Sequence, residues 1–218
     1  MNFRFDLIAE YAPFFFQGML VTIGLSLAAI AIGTVLGLFI GIGKIAQNKF
    51  IRLPFSWYVT FFRGTPLFVQ MLLVHFGLVP LLIGDTNGII AAIVALSLNS
   101  AAYIAEIFRA GIQSIDKGQM EAARSLGMSH KQAMRYVILP QATKRMIPPL
   151  GNEFVILIKE SSIAAIIATP ELMYWGRAMQ GQYYIVWEPY LTVALIYLVL
   201  TLSLSKLLSF VERRTTTG

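Results

Sequence analysis

Five charged side chains stand inside stretches that are otherwise apolar enough to enter a bilayer: Arg63, Glu106, Glu153, Lys159 and Glu160. Glu153 and Glu160 are seven residues apart, nearly two turns of a helix, so they share one face, with Asn152 and Lys159 forming a second row beside them. Asn99 and Glu106 repeat that spacing, with Tyr103 between them. Two carboxylates on one face suggest the acid and base of an intramembrane hydrolase. Such chemistry needs an activated water or nucleophile, and the chain has no His-x-x-His, Glu-x-x-His or Gly-x-Ser-x-Gly pattern. Two readings compete with it: a polar pathway through the membrane, and a set of ion pairs, Lys159 to a glutamate and Arg63 to Glu106, that only ties helices together.

The energetics favour the pathway. In the stretch from Pro149 to Thr169, burying Glu153, Lys159 and Glu160 in lipid would cost about 8 to 10 kcal/mol, whereas its large apolar residues return only about 3 to 5. That segment does not stay in lipid alone, so its polar face must meet protein or a water-filled cavity.

The whole chain has the composition of an integral membrane protein. Of its 218 residues 57% are hydrophobic and 13% charged, and the mean hydropathy is +0.70. A net charge of +6 would suit nucleic acid only if the cations shared one solvated face, whereas here they are sorted by loop. There is no cysteine, and His75 and His130 are isolated, so neither disulfides nor a metal site is expected. The N-terminus, with Asp6 and Glu10 against Arg4, has the wrong charge for a signal peptide, which leaves the first membrane helix as the targeting signal.

Five spans are expected, within a single domain over residues 1–218. Residues 3–12 read as an amphipathic helix on the membrane surface, with Pro13 introducing a first span over residues 14–43. In that span Ala29, Gly33, Gly37 and Gly41 recur every four residues, a small-residue ridge that admits a close helix. Lys44 after Gly43 hints at a phosphate loop, but Leu38 and Ile45 stand where glycine and Ser or Thr are needed. The second span, 55–82, contains Arg63-Gly64-Thr65-Pro66, which predicts a kink. The third covers 88–108, the fourth 149–169, and the fifth 189–210, with a polar segment over 171–187 and a threonine tail that reads as disordered.

Between the third and fourth spans, residues 109–146 form a charged block that must lie in water. It reads as two short helices around a turn. Gly127 takes a left-handed conformation to close the first, Ser129 and Gln132 make a capping box to open the second, and Pro140 stops it. With this block inside, thirteen of the seventeen basic residues lie inside, against Arg4 and Arg177 outside, which places the N-terminus outside and the C-terminus inside.

Glu121-Ala122-Ala123, three residues, Gly127, nine residues, then Val137-Ile138-Leu139-Pro140 resembles the EAA loop of permease subunits of bacterial ATP-binding-cassette (ABC) importers, with Val137 where the pattern has isoleucine. Phe62-Arg63-Gly64-Thr65-Pro66-Leu67 and Lys159-Glu160-Ser161-Ser162 narrow the likeness to permeases for polar amino acids. The resemblance implies an all-α permease like that of type I importers, a non-catalytic subunit in the bacterial cytoplasmic membrane. A second permease, taken as an identical copy, two ATPase subunits that bind ATP and magnesium, and an extracytoplasmic binding protein would complete the machine. Glu121, Ala122, Ala123, Ser125 and Gly127 would seat a coupling helix in the ATPase. Arg63, Gly64, Thr65, Asn99, Glu153, Lys159, Glu160 and Ser161 are the candidates for the amino acid. Three carboxylates against Lys159 point to arginine, lysine or histidine; glutamine or another neutral polar amino acid follows if Glu106 lies near the membrane surface. A passive channel would need no coupling helix.

Overall fold

The computed structural model describes residues 3–216, with side chains for residues 3–210 and for Glu212. All regular structure among them is helical. Helix α1, Phe5–Lys44, runs 40 residues without a break. The expected surface helix is not separate: Pro13 sits inside α1, and Leu7, Tyr11 and Phe15 are buried against Leu172 and Met179 of helix α9, Leu172–Tyr183. Packing against that neighbour straightens what the local pattern alone would lay on the surface. The polar segment thus contains a helix. Its start is fixed by Glu171, a buried carboxylate that accepts the Met173 and Tyr174 amides at 2.9 and 2.7 Å, and the Tyr197 hydroxyl at 2.7 Å.

Helix α5, Gly88–Gln113, fills the small-residue ridge of α1. A Cβ added at Gly33 would meet Ser100, at Gly37 Ile104 and at Gly41 Ala105 and Phe108, so the contact advances in the same direction along both helices. Helices α1 and α5 are therefore parallel, and the chain between them must return across the molecule. The return is broken in two. Helix α2, Lys49–Gly64, gives way at Thr65 and Pro66 to α3, Leu67–Leu73, which passes through a π-helical turn, Val74–Leu78, into α4, Val79–Ile83. The two halves meet at 109°, a break far sharper than a proline kink in a continuous helix. With 16 residues in one half and residues 67–83 in the other, their net reach is still about 28 Å, close to a bilayer core.

Helix α6, Lys117–Ser125, and α7, His130–Ala133, flank Gly127, whose φ of 85° is left-handed, and the capping box of Ser129 and Gln132 is present. Pro140 does not stop the second helix. A π-helical turn, Met134–Ile138, leads without a break into α8, Leu139–Glu160, whose second residue is Pro140 and which holds Pro148 and Pro149 inside. The fourth crossing then continues as a 3₁₀ turn, Ser161–Ile167, and ends where Ala168 turns left-handed at φ 56°. Gly111 faces Met146 and Gly88 faces Ile167, so α8 runs antiparallel to α5. Helix α10, Trp187–Thr216, returns once more, with Val193 at Gly176 and Leu208 at Gly151. It extends through Thr215 and Thr216, so the disordered tail is not seen there; Thr217 and Gly218 lie outside the described residues.

Among the described residues three helices, α1, α5 and α10, are long and apolar enough to cross a membrane by themselves, and the broken α2–α4 pair, taken as one span, adds another. The α8 crossing fails that test because of its charges. The result is an all-α, five-span membrane protein with two distinct ends. One carries Arg4 and Glu188 among Phe3, Tyr184 and Trp187; the other carries Lys44, Arg109, the α6–α7 knuckle and Arg145.

Candidate functional site

At the basic end, Glu106 gathers three cations from three helices. Lys44 at the end of α1 donates to its Oε1; Arg109, one turn on, donates Nε and Nη2 to Oε2 at 3.1 and 2.7 Å; Arg63 of α2 places Nη1 3.6 Å from Oε2. The Glu106 side chain is only 17% exposed, whereas that of Arg63 is 44% exposed and lies over the Tyr103 ring, 5.3 Å from its centroid. This cluster decides an open question in the charge count: Glu106 is consumed by cations near the basic end and leaves no negative charge over. Arg63 itself lies toward that end and not at mid-depth.

A cavity of about 550 Å³ begins beside this cluster, within the range of small-molecule sites. Its wall includes Ser114 and Arg145 at the basic end, Arg63 and Tyr103 beside the cluster, and Asn152 and Glu153 of α8. Glu153 is 5% exposed and, among the described residues, accepts no hydrogen bond and forms no ion pair. An unpaired carboxylate and a half-free guanidinium thus border one space. The other residues expected to bind lie elsewhere. Asn99 is buried away from the cavity, donating to the Phe62 carbonyl at 3.3 Å and to Gln70 at 2.8 Å. Thr65 and the exposed Gly64 are at the break, with the Thr65 hydroxyl bonded to the Phe61 carbonyl at 2.8 Å. Lys159 is exposed, Glu160 half-buried, and Ser161 is buried with its hydroxyl on the Ile158 carbonyl at 2.8 Å. Lys159 has no ion pair among the described residues, so the expected tie to a glutamate is absent.

In the knuckle Glu121, Ala122, Ser125 and Gly127 are exposed and Ala123 is buried. Ala123 packs the short helix inward, while Glu121 and Ser125 stand on the free surface, their backbones tied by the Ser125 hydroxyl on the Glu121 carbonyl at 3.0 Å. No group of His, Cys, Asp or Glu able to hold a metal occurs among the described residues. Sequence reasoning missed Gln70 and Lys44. Gln70 looked like one polar residue in an apolar run, and Lys44 is separated from Glu106 by 62 residues, a pairing no local pattern reveals.

Residues 33–217 match the family model described as "Binding-protein-dependent transport system inner membrane component". The arginine transport system permease protein ArtQ of Bacillus subtilis is 40% identical, the alignment covering 98% of both chains. The probable glutamine ABC transporter permease protein GlnM of the same organism is 41% identical over 98% of this chain and 97% of its own. A chain from the crystal structure of an amino acid ABC transporter with histidines superposes with a TM-score of 0.92 at 47% identity, over 98% of this chain and 100% of that one. The chain therefore belongs to the inner-membrane components of binding-protein-dependent transport systems, as a non-catalytic permease subunit of an amino acid ABC importer, a family that works with an ATPase and a substrate-binding protein.

Proposed function

We propose that the cavity between Arg63 and Glu153 is the inner part of the amino acid pathway and that the cargo is cationic. One observation carries this reading: Glu153 borders the cavity with no cation of its own, opposite a guanidinium whose outer side is free. Arg63 then takes the α-carboxylate, since a guanidinium fork matches that geometry. The carbonyls of Arg63 and Gly64, which receive no hydrogen bond across the break, offer acceptors at the negative end of α2 for the α-ammonium. Glu153 borders the cavity itself, and Lys159 and Glu160, both nearly two turns further along α8 and outside the cavity wall, offset one another, which leaves one negative charge for a basic side chain. The arginine permease ArtQ fits this reading. A neutral cargo is the second reading, favoured by the capture of Glu106 near the basic end, by Asn152 in the cavity wall and by the equal likeness to the glutamine permease GlnM.

In the assembled importer two copies of this chain pair and each seats its knuckle, through Glu121, Ala122, Ser125 and Gly127, in one of two ATPase subunits that bind ATP and magnesium. The binding protein delivers cargo at the Arg4 end, which faces outward, and the C-terminus is inside.

Direct binding to the purified complex tests the cargo. Arginine is expected to bind, and Glu153→Gln with Glu160→Gln to weaken arginine by about tenfold or more while changing glutamine by less than about threefold. Arginine binding as tight as the parent's in the double variant assigns the glutamates to structure and removes the cationic reading.

A further inference from the structure

Breaking a helix at depth leaves its last carbonyls without partners, and in a membrane each such orphan is costly. Pro66 worsens the deficit because it has no amide to give. The carbonyls of Phe62 and Thr65 are nevertheless satisfied, by two buried side-chain amides. Gln70 of α3, 2% exposed, turns back across the break and places Nε2 at 2.9 Å from the Phe62 carbonyl, 3.0 Å from the Thr65 carbonyl and 2.8 Å from the Thr65 hydroxyl. Its Oε1 accepts from Asn99 of α5 at 2.8 Å, and the same Asn99 amide reaches the Phe62 carbonyl at 3.3 Å.

We infer that Gln70 is a positioning residue for the amino acid pathway, the centre of a two-amide clasp that holds the 109° break at one angle and so places Arg63 at the cavity. The arrangement has the features that such a role requires. The clasp joins both sides of the break to each other and to α5, the helix that also carries Glu106 and Tyr103, against which Arg63 rests. Phe62, whose carbonyl both amides share, is the residue before Arg63. With no charge in the clasp, the break is fixed without adding a carboxylate or cation that cargo would have to displace. Glutamine also has the reach to span the break from the first turn of α3; asparagine at that position is one methylene shorter.

The inference rests on the proposed cavity as far as cargo is concerned, and the experiment separates the two. The chain has no cysteine, so Trp57→Cys and Leu81→Cys, at exposed positions on either side of the break, accept spin labels in the full importer. In that background Gln70→Met keeps the volume and removes every clasp bond except that of the Asn99 amide to the Phe62 carbonyl. The distance distribution between the labels is expected to broaden, and arginine and glutamine binding each to weaken by about tenfold. In combination with Arg63→Gln the further loss from Gln70→Met should be under about twofold, because Gln70 acts through Arg63. Should Gln70→Met fail to assemble, Asn99→Ala removes the clasp's ties to α5 while leaving Gln70 on the Phe62 and Thr65 carbonyls, and the distribution is then expected to broaden to a smaller extent. An unchanged distance distribution overturns the clasp, as does Asn99→Ala weakening binding with the break unmoved, which would make Asn99 a ligand. Losses that simply add overturn the action through Arg63. A broadened distribution with binding intact in Arg63→Gln keeps the clasp and removes the cavity reading.

Discussion

Glu106 shows how a membrane protein uses one carboxylate to gather basic residues that would otherwise repel one another. Lys44, Arg63 and Arg109 come from three helices, and only the shared acid lets them approach. Glu106→Gln leaves three cations around a neutral amide. A fully buried pair that loses one partner costs about 3 to 5 kcal/mol. Here about 2 kcal/mol is expected, because the Arg63 and Arg109 side chains are 44% and 34% exposed and keep part of their hydration. The measurement is the thermal unfolding midpoint of the purified complex, which should fall, and Lys44→Met added to Glu106→Gln should restore part of it by removing one unpaired charge. The sequence shows each of these residues but not their meeting. Helical spacing makes the Arg109–Glu106 pair legible, at three residues apart, and charge sense suggests Arg63 with Glu106. Lys44 becomes visible only once α1 and α5 are known to lie parallel.

Among the elements, those whose signals are local are legible and those decided by neighbours are not. The Gly127 turn and the Ser129–Gln132 capping box follow from a few adjacent residues and occur as expected. Pro13 and Pro140 mislead because a proline within a helix is tolerated once the surrounding packing holds the backbone. The break at Thr65 and Pro66 is announced by its residues, but its angle comes from Gln70 and Asn99, which no period in the sequence connects. Glycine at the α1–α5 contact provides a quantitative check. A Cβ at Gly37 would lie 2.7 Å from Ile104 Cγ2 and 2.9 Å from the Ala101 carbonyl oxygen, whereas at Gly24 it would meet nothing within 4 Å. Gly37→Ala should therefore destabilise the complex by about 1 to 3 kcal/mol, while Gly24→Ala should be neutral or slightly stabilising. Equal thermal midpoints for the two variants would show that α1 and α5 do not depend on that close approach. In the knuckle, Gly127→Pro removes the left-handed turn and Glu121→Lys inverts an exposed charge, so both should leave the permease in the membrane but reduce ATPase co-purification and transport. Loss of a desolvated charged contact commonly costs about 2 to 5 kcal/mol, ample to lose a partner during purification. Parent-level co-purification and transport in both variants would dissociate the knuckle from coupling.

At the scale of the molecule the decisive feature is the parallel pairing of α1 and α5, because it forces residues 45–87 to cross and makes the number of crossings odd. A re-entrant α2–α4 hairpin would return the chain to the end it left, and α5 would then have to run antiparallel to α1, against the contacts of Gly33, Gly37 and Gly41. The two ends also differ in charge as the insertion machinery requires: Lys44, Lys49, Arg52 and the basic residues of the knuckle gather at one, Arg4 and Arg177 at the other. Trp187 and Tyr184, 62% and 88% exposed, suit the interfacial belt of the sparsely charged end. The proposed orientation, with the Arg4 end outside, is the one this charge asymmetry favours, and the absence of cysteine makes it directly measurable. Asn87 and Gln180 lie toward the Arg4 end and Gln119 in the knuckle, so Asn87→Cys and Gln180→Cys should react with a membrane-impermeant thiol reagent added to intact cells, and Gln119→Cys should react only after lysis. Labelling of Gln119→Cys in intact cells would invert the molecule, set the knuckle outside and remove any possibility of its meeting an ATPase. Labelling of Gln180→Cys but not of Asn87→Cys, with both reactive in detergent, would instead place the loop before α5 on the inner side. In that case α1 and α5 could not be parallel, and the broken pair would be a re-entrant loop.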